Sequence, residues 1–485
     1  MLPRPARPDH TPPGRGSGLV RDAALTIATR FGLAILILAT DIILARALGP
    51  DAKGRFALVL LYSQLAATVI GVGMDQALAV VAARSIADAR RGLANALVWT
   101  AVVGGLAAIF SAWLYGVPAA PGEGPLGGIL PRLEGGQVVL AAIAVTGELF
   151  FLLGLNALLG RGRMASYSLI RLIRRGILLV LALGAAAAAN LELDLALALN
   201  LVSLALSVAA ILVFAWREGI AGGAPSRSLL GEELRFGSVA VVGVIAERLQ
   251  FRADAFIVNA LIGVRATGIY SVTSGLAESL WYVPNALGIV MFSRAVRPGS
   301  DASETAAVLT RTTLAVAAAI AIPAFILGPN VVAFAYGPAF GDAGIALRWI
   351  LPGIVAYSVV AILSRWIVGR GRPGLGAAIL GAGLGTNVIA NLQLVPAFGI
   401  NGAAAASSIS YVLTAVLTLG VFARLSGRSL RETLLIQAAD LSAGRRAVRR
   451  LVAWRPGDRA HPLPEPPGRE AAAVVIEEHD LGDAP

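Results

Sequence analysis

Arg171, Arg174 and Arg175 interrupt an otherwise apolar stretch at positions i, i+3 and i+4. On a helix that spacing sets all three on one face. Guanidinium groups hold phosphate or carboxylate through paired, planar hydrogen bonds, so such a face is a candidate anion-binding wall. The competing explanation is a belt of arginines reaching back to the lipid headgroups. A second apolar stretch carries Glu247, Arg248, Gln250, Arg252 and Asp254. Together they cover about half of a helix circumference, too much for a surface against lipid; the helix must line a cavity or be enclosed, its charges paired locally. Arg30 and Arg348 are further candidate cavity cations. Glu148 and Glu278 are single midspan carboxylates, each a candidate for carrying a coupling proton or for permanent pairing with an arginine. Asp41 and Asp254 are candidates either for ion coupling or for anchoring the junction of a span with its loop.

The scarce residues exclude other chemistry. The chain has no cysteine, and its three histidines, His10, His461 and His479, all lie in polar tails. A thiolate or histidine metal site, a Ser-His-Asp triad and a disulfide are therefore not expected within the apolar region, and neither a metal nor another cofactor is called for. Lys53, the sole lysine, sits in Gly-Pro-Asp-Ala-Lys-Gly, which does not match the spacing of a phosphate-binding loop. No catalytic residue is assigned.

The elements that must position these charges follow from composition. Of 485 residues 57% are apolar and only 14% charged, with a mean hydropathy of +0.76. A soluble domain carries about a quarter charged residues, so this is an integral membrane protein. About 20 apolar residues cross the hydrocarbon as a helix, and twelve segments qualify: 19–46, 56–76, 92–115, 137–158, 165–188, 193–215, 236–262, 268–292, 309–328, 343–367, 373–393 and 400–423. The first is too long for a signal peptide and is expected to be a mature span. Loops on the side of the N-terminus hold 17 Lys and Arg against 5 on the other side, and the C-terminal tail adds ten. The bias puts both termini in the cytoplasm.

The chain repeats itself. Asp41…Gly54-Arg-Phe56 returns as Asp254…Gly268-Ile-Tyr270, and Gly160-Arg-Gly-Arg163 returns as Gly369-Arg-Gly-Arg372. Two halves of six helices, 19–216 and 236–424, are expected around a cytoplasmic linker at 217–235. An even number of spans gives both halves the same orientation, so a pseudo-two-fold axis runs along the membrane normal, with a site between the halves. Residues 1–18 are expected to be a disordered cytoplasmic tail, and 425–485 a second one. Within the latter, 430–454 has the composition either of an amphipathic helix on anionic lipid or of a solvated tail.

Three stretches resemble a known family. They are Leu44-Ala-Arg-Ala-Leu-Gly-Pro50 followed by Gly71-Val-Gly-Met-Asp-Gln-Ala-Leu78, Phe334-Ala-Tyr-Gly-Pro-Ala-Phe340 followed by Ala346-Leu-Arg-Trp-Ile-Leu-Pro352, and Val395-Pro-Ala-Phe-Gly-Ile-Asn-Gly-Ala-Ala404. In order and spacing they are similar to the bacterial polysaccharide flippases of the multidrug/oligosaccharidyl-lipid/polysaccharide (MOP) exporter superfamily. The resemblance implies a substrate, polyprenyl-pyrophosphate-linked oligosaccharide moved from the cytoplasmic to the outer leaflet of the bacterial inner membrane. It implies membrane lipids and a polysaccharide polymerase or glycosyltransferases as partners, no nucleic acid, and no enzymatic activity. The alternative within the superfamily is a cation-coupled multidrug exporter, whose cavity would be acidic and aromatic.

Overall fold

The computed structural model describes residues 15–115, 128–281 and 302–437, together with Pro284, Leu287, Gly288, Met291, Ala295 and Asp440; for 15–31 it describes the backbone alone. Of the N-terminal tail expected at 1–18, residues 1–14 lie outside these residues and 15–18 are helical, the opening of the first helix; most of the C-terminal tail also lies outside. The chain forms α1 (Arg15–Ile70), α2 (Met74–Arg84), α3 (Ile86–Trp99), a π turn at Thr100–Gly104, α4 (Gly105–Leu114), α5 (Gly135–Gly160), α6 (Met164–Ala187) and α7 (Leu193–Arg217). It continues as α8 (Arg227–Ile262), α9 (Val264–Ser279), α10 (Ser303–Tyr336), α11 (Gly341–Gly369), α12 (Pro373–Ser426) and α13 (Leu430–Leu434).

Among the described residues the fold is all-helical, and its helices supply the twelve expected membrane-spanning segments, the eighth of them described in part. Two of the longest helices each hold two of them. At Gly49 in α1 the backbone takes φ 69°, ψ 173°, and Pro50 follows without an amide hydrogen to continue the ladder. The chain folds back there, giving spans one and two. Gly399 does the same in α12, at φ 59°, ψ −137°. The π turn joins α3 and α4 into one span; the Thr146 hydroxyl donates to the Gly104 carbonyl at 2.8 Å, satisfying a group the irregular turn leaves over.

Each half has its own core. Leu78, Leu93, Leu149, Leu153, Leu158 and Ile211 pack in one apolar cluster of the first half, and Phe56, Val138 and Leu197 in another. Tyr270, Phe340, Leu363, Trp366 and Phe422 belong to the single cluster of the second half. The halves touch near the ends of the spans: Ala45 enters the second-half core, while Leu230 and Leu234 pack against the first. Backbone conformation repeats as well. Gly49 and Gly263 share an extended conformation with positive φ, as Gly162 and Gly371 share a left-handed turn.

Two of the boundaries that differ from those expected have a visible cause. Span two stops at Ile70 rather than 76, because Val72 and Gly73 both take positive φ and turn the chain into α2. The linker is partly helical, since α8 starts at Arg227, nine residues before the apolar stretch. Its N-cap is Ser226, whose hydroxyl accepts from the Leu229 amide.

Candidate functional site

Three adjoining cavities lie between the halves, and Gln64 of α1 lines all of them. The first, about 260 Å³, is walled by Arg171, Arg174 and Arg175 of α6, Glu148 of α5 and Arg248 of α8. The second, about 340 Å³, has Arg248, Phe251, Arg252, Glu278 and Trp281 on its wall. In the third, about 270 Å³, Asp41, Lys53, Arg175, Arg252 and Glu278 meet. Structure thus brings together six cations from three separate stretches of the sequence. Their helices are held by the apolar clusters behind them, so the charged faces have only each other and the cavities to turn to.

Every carboxylate on these walls is held by a cation. Arg174 is buried and forks onto both oxygens of buried Glu148, with Nη1 donating at 3.0 Å to Oε2, while its guanidinium lies 4.4 Å from the Phe151 ring centroid. Arg252 pairs with Glu278 less completely: its Nη2 donates to Oε2 at 2.7 Å, while Nη1 lies 2.6 Å from Oε1 without hydrogen-bond geometry. Lys53 pairs with Asp41. Among the described residues, Arg171 and Arg248 form no ion pair. The Arg171 guanidinium sits 5.5 Å from the Tyr167 ring centroid, an exposed position at the mouth of the first cavity.

The other residues singled out from the sequence lie elsewhere. Asp254 is buried in the second half and accepts hydrogen bonds from the Ala255 amide at 2.8 Å, the Ser407 hydroxyl at 3.1 Å and the Tyr270 hydroxyl. Glu247 is exposed, apart from the cavity linings. Arg348 lines none of the three cavities. Its Nε donates to the Phe325 carbonyl at 2.8 Å and its Nη2 to that of Ile326 at 3.2 Å. The cause is Pro329 in α10, which offers no amide hydrogen to the carbonyl four residues earlier, that of Phe325. The Arg30 side chain lies outside the described residues. Gln64 was missed from the sequence, although a lone amide in the middle of span two is a signal of the same kind as Glu148.

The halves also meet at both ends of the spans. At the Gly49 end, Asp51 and Arg265 form an ion pair at 2.8 Å, and Arg46 donates to the last carbonyls of α10, Phe334 and Ala335. There the backbones of Gly54 and Gly268 leave no room for a side chain. At the opposite end Gly73 lies against Gly237 just as closely, a Cβ on Gly73 falling 2.3 Å from the Gly237 oxygen. Glu233, ahead of the seventh span, is fully buried here. One oxygen accepts from the Asn95 side chain at 3.1 Å, and the other has no partner among the described residues. Burial pushes its carboxyl up to about 7; the neighbouring Glu232 adds to the rise and the Asn95 hydrogen bond opposes it. Glu232 itself is exposed and held low by Arg84, 2.6 Å away.

No family model matches the chain. A probable flippase AglR of Haloferax volcanii is 26% identical over 208 residues, 40% of this chain and 42% of that protein, so the chain spans less than half the length of this relative. Among solved structures, the lipid II flippase MurJ in an inward closed conformation superposes with a TM-score of 0.68 at 13% identity, covering 90% of this chain and 94% of MurJ. An inward-facing MATE multidrug resistance transporter gives a TM-score of 0.62 at 17% identity, over 83% and 98% of the two chains. A MOP superfamily transporter from Pyrococcus furiosus, described by the reverse polarity of its binding pocket, gives 0.53 at 16% identity, over 84% and 95%. The fold is the one these MOP superfamily transporters share.

Proposed function

We propose that this chain, folded as a MOP transporter, flips a polyprenyl-pyrophosphate-linked oligosaccharide across the cytoplasmic membrane. The observation that carries the reading is the charge left over between the halves. Glu148, Glu278 and Asp41 are each paired with a cation, whereas Arg171 and Arg248 face the first cavity with no carboxylate in ion-pair contact among the described residues. A pyrophosphate would complete them, since guanidinium groups bind phosphate oxygens bidentately. Arg174 and Arg175 belong to the same wall; Arg252 lies next door, and Arg30 is carried as a further candidate from the sequence alone. A cationic drug would find the lining carboxylates already occupied, so a multidrug exporter is the weaker reading.

Rocking of the two six-helix halves would expose the cavity to one leaflet and then the other. The lipid tail stays in the bilayer between the halves. Coupling would work through the ion pairs: protonating Glu148 or Glu278, or displacing Lys53 from Asp41, frees a cation for substrate. Asp254 reaches only a small pocket beside Trp281 and Tyr411, and Glu247 lines none of the three cavities, so both are weaker coupling candidates. The arginine asymmetry of the loops supports placing both termini in the cytoplasm, and glycosyltransferases or a polymerase would supply and consume the substrate.

Reconstitution into liposomes tests the reading. Protein should speed the transbilayer movement of a fluorescent polyprenyl-pyrophosphoryl sugar. Arg171→Ala and Arg248→Ala should abolish it, and lysine at either position should restore it in part, keeping the charge without the planar fork. Efflux of a cationic dye with no movement of the lipid would overturn the proposal in favour of drug export.

A further inference from the structure

The second cavity differs from the first in its wall. Phe251 stands on α8 between Arg248 and Arg252, and its ring centroid lies 4.4 Å from that of Trp281, 5.2 Å from Tyr357 and 5.8 Å from Tyr411. The rings behind it also pack on one another, Trp281 on Tyr357 at 5.2 Å and Tyr357 on Tyr411 at 5.2 Å. Trp281, Tyr357 and Tyr411 are 7%, 7% and 2% exposed; Phe251, half-buried, presents the accessible ring of the four. A ring braced on three sides is a rigid platform. Around it the cavity has planar polar groups: the Gln64 amide and the Arg252–Glu278 pair. The Trp281 indole N–H has no acceptor among the described residues, and a buried donor left in that condition favours any ligand that supplies one.

We infer that this aromatic wall is a saccharide subsite, in which a pyranose ring stacks on Phe251 while its hydroxyls bond to Gln64 and Glu278. The inference rests on the proposed function and adds a division of labour to it. A pyranose has one face of C–H groups and a rim of hydroxyls. It matches a wall with one ring face and a rim of planar hydrogen-bonding groups, whereas an acyl chain would leave the polar rim unused. Arg248 lines both cavities, so a pyrophosphate on the arginine wall places its attached sugar beside Phe251. Recognition is then split: the first half of the chain, with Arg248, holds the phosphates, and the second half, with Gln64, reads the sugar.

The test measures binding to the purified full chain by titration calorimetry with two probes. One is farnesyl pyrophosphate; the other is the same lipid carrying N-acetylglucosamine on its terminal phosphate. The wild type should prefer the sugar-bearing probe by roughly three- to tenfold, the range an aromatic contact supplies. Phe251→Leu should erase that preference and leave farnesyl pyrophosphate affinity unchanged, which also shows that the variant is folded. Phe251→Tyr, retaining the ring, should keep the preference. Equal affinity of the wild type for both probes, or a preference that survives Phe251→Leu, overturns the subsite and leaves the proposed function standing. A Phe251→Leu variant that loses both probes alike assigns Phe251 a structural role and overturns it too. If the wild type binds neither probe, the functional reading falls and the subsite with it.

Discussion

Gly54 and Gly268 occupy corresponding places in the two halves and lie against each other: a Cβ on Gly54 would stand 3.0 Å from the Gly268 nitrogen and 2.1 Å from the Val264 oxygen. The reciprocal Cβ on Gly268 would fall 1.9 Å from the Pro50 oxygen. No side chain fits there without driving the halves apart.

Gly54→Ala should therefore open the Gly49 end. The absence of native cysteine makes the measurement clean. Spin labels on cysteines introduced at the exposed positions Ala47 and Ile262 should report a longer distance in the alanine variant than in the parent. An unchanged distance distribution would refute the packing.

Arg174 and Arg171 should fail in different ways when truncated. Arg174→Ala leaves Glu148 buried without its cation, a loss of about 3–5 kcal/mol, so the protein should become scarce in the membrane. The double variant Glu148→Gln, Arg174→Gln should recover abundance. Arg171→Ala breaks no ion pair and should lose lipid movement at normal abundance. Quantifying protein beside transport separates the two, and normal abundance of Arg174→Ala would contradict the pairing.

Arg348→Ala should act on stability alone. It strips a donor from the Phe325 carbonyl left over by Pro329, at a cost of about 1 kcal/mol. The melting temperature in detergent should fall by a few degrees at most, while transport per folded molecule stays constant. A specific loss of transport would return Arg348 to the substrate path.

Glu233 makes the opposite end sensitive to pH. Its carboxyl, ordinarily near 4.5, rises to about 7 in the packed arrangement, so packing takes up a proton. The stabilisation is fully present below the ordinary value and is lost as pH climbs through about 7. Arg84, Glu232 and Arg235 share the shallow cavity beside it, but Glu232 is already paired with Arg84. Labels at Ala87 and Ser238 should move apart between pH 6 and pH 8. Glu233→Gln should abolish that dependence and hold the end closed; a dependence that survives it would implicate another group.

The sequence made the spans and their turns legible because apolar length and glycine conformation are local properties. Gly49-Pro50 ends a helix wherever it stands. The charges on α6 and α8 were equally plain, since few residues could hide them. Their pairing was not. Glu148 and Arg174 are 26 positions apart, as are Arg252 and Glu278, and no periodicity announces a contact between neighbouring helices. The contacts of Arg348 were hidden for the same reason: its partner is a carbonyl freed by a proline on another helix. The break after Ile70 was visible in Gly71-Val-Gly73, but the apolar run carried on past it.

The ion pair between Asp51 and Arg265 breaks the symmetry of the two halves. These two residues are also counterparts, each two positions after the glycine that turns its hairpin. Two identical six-helix subunits meeting at a two-fold axis must present the same residue from both sides, and here that would set like charges face to face. A gene carrying both copies in tandem escapes the constraint, because each copy mutates independently. Opposite charges at mated positions are a solution that a symmetric dimer of identical subunits could not have reached.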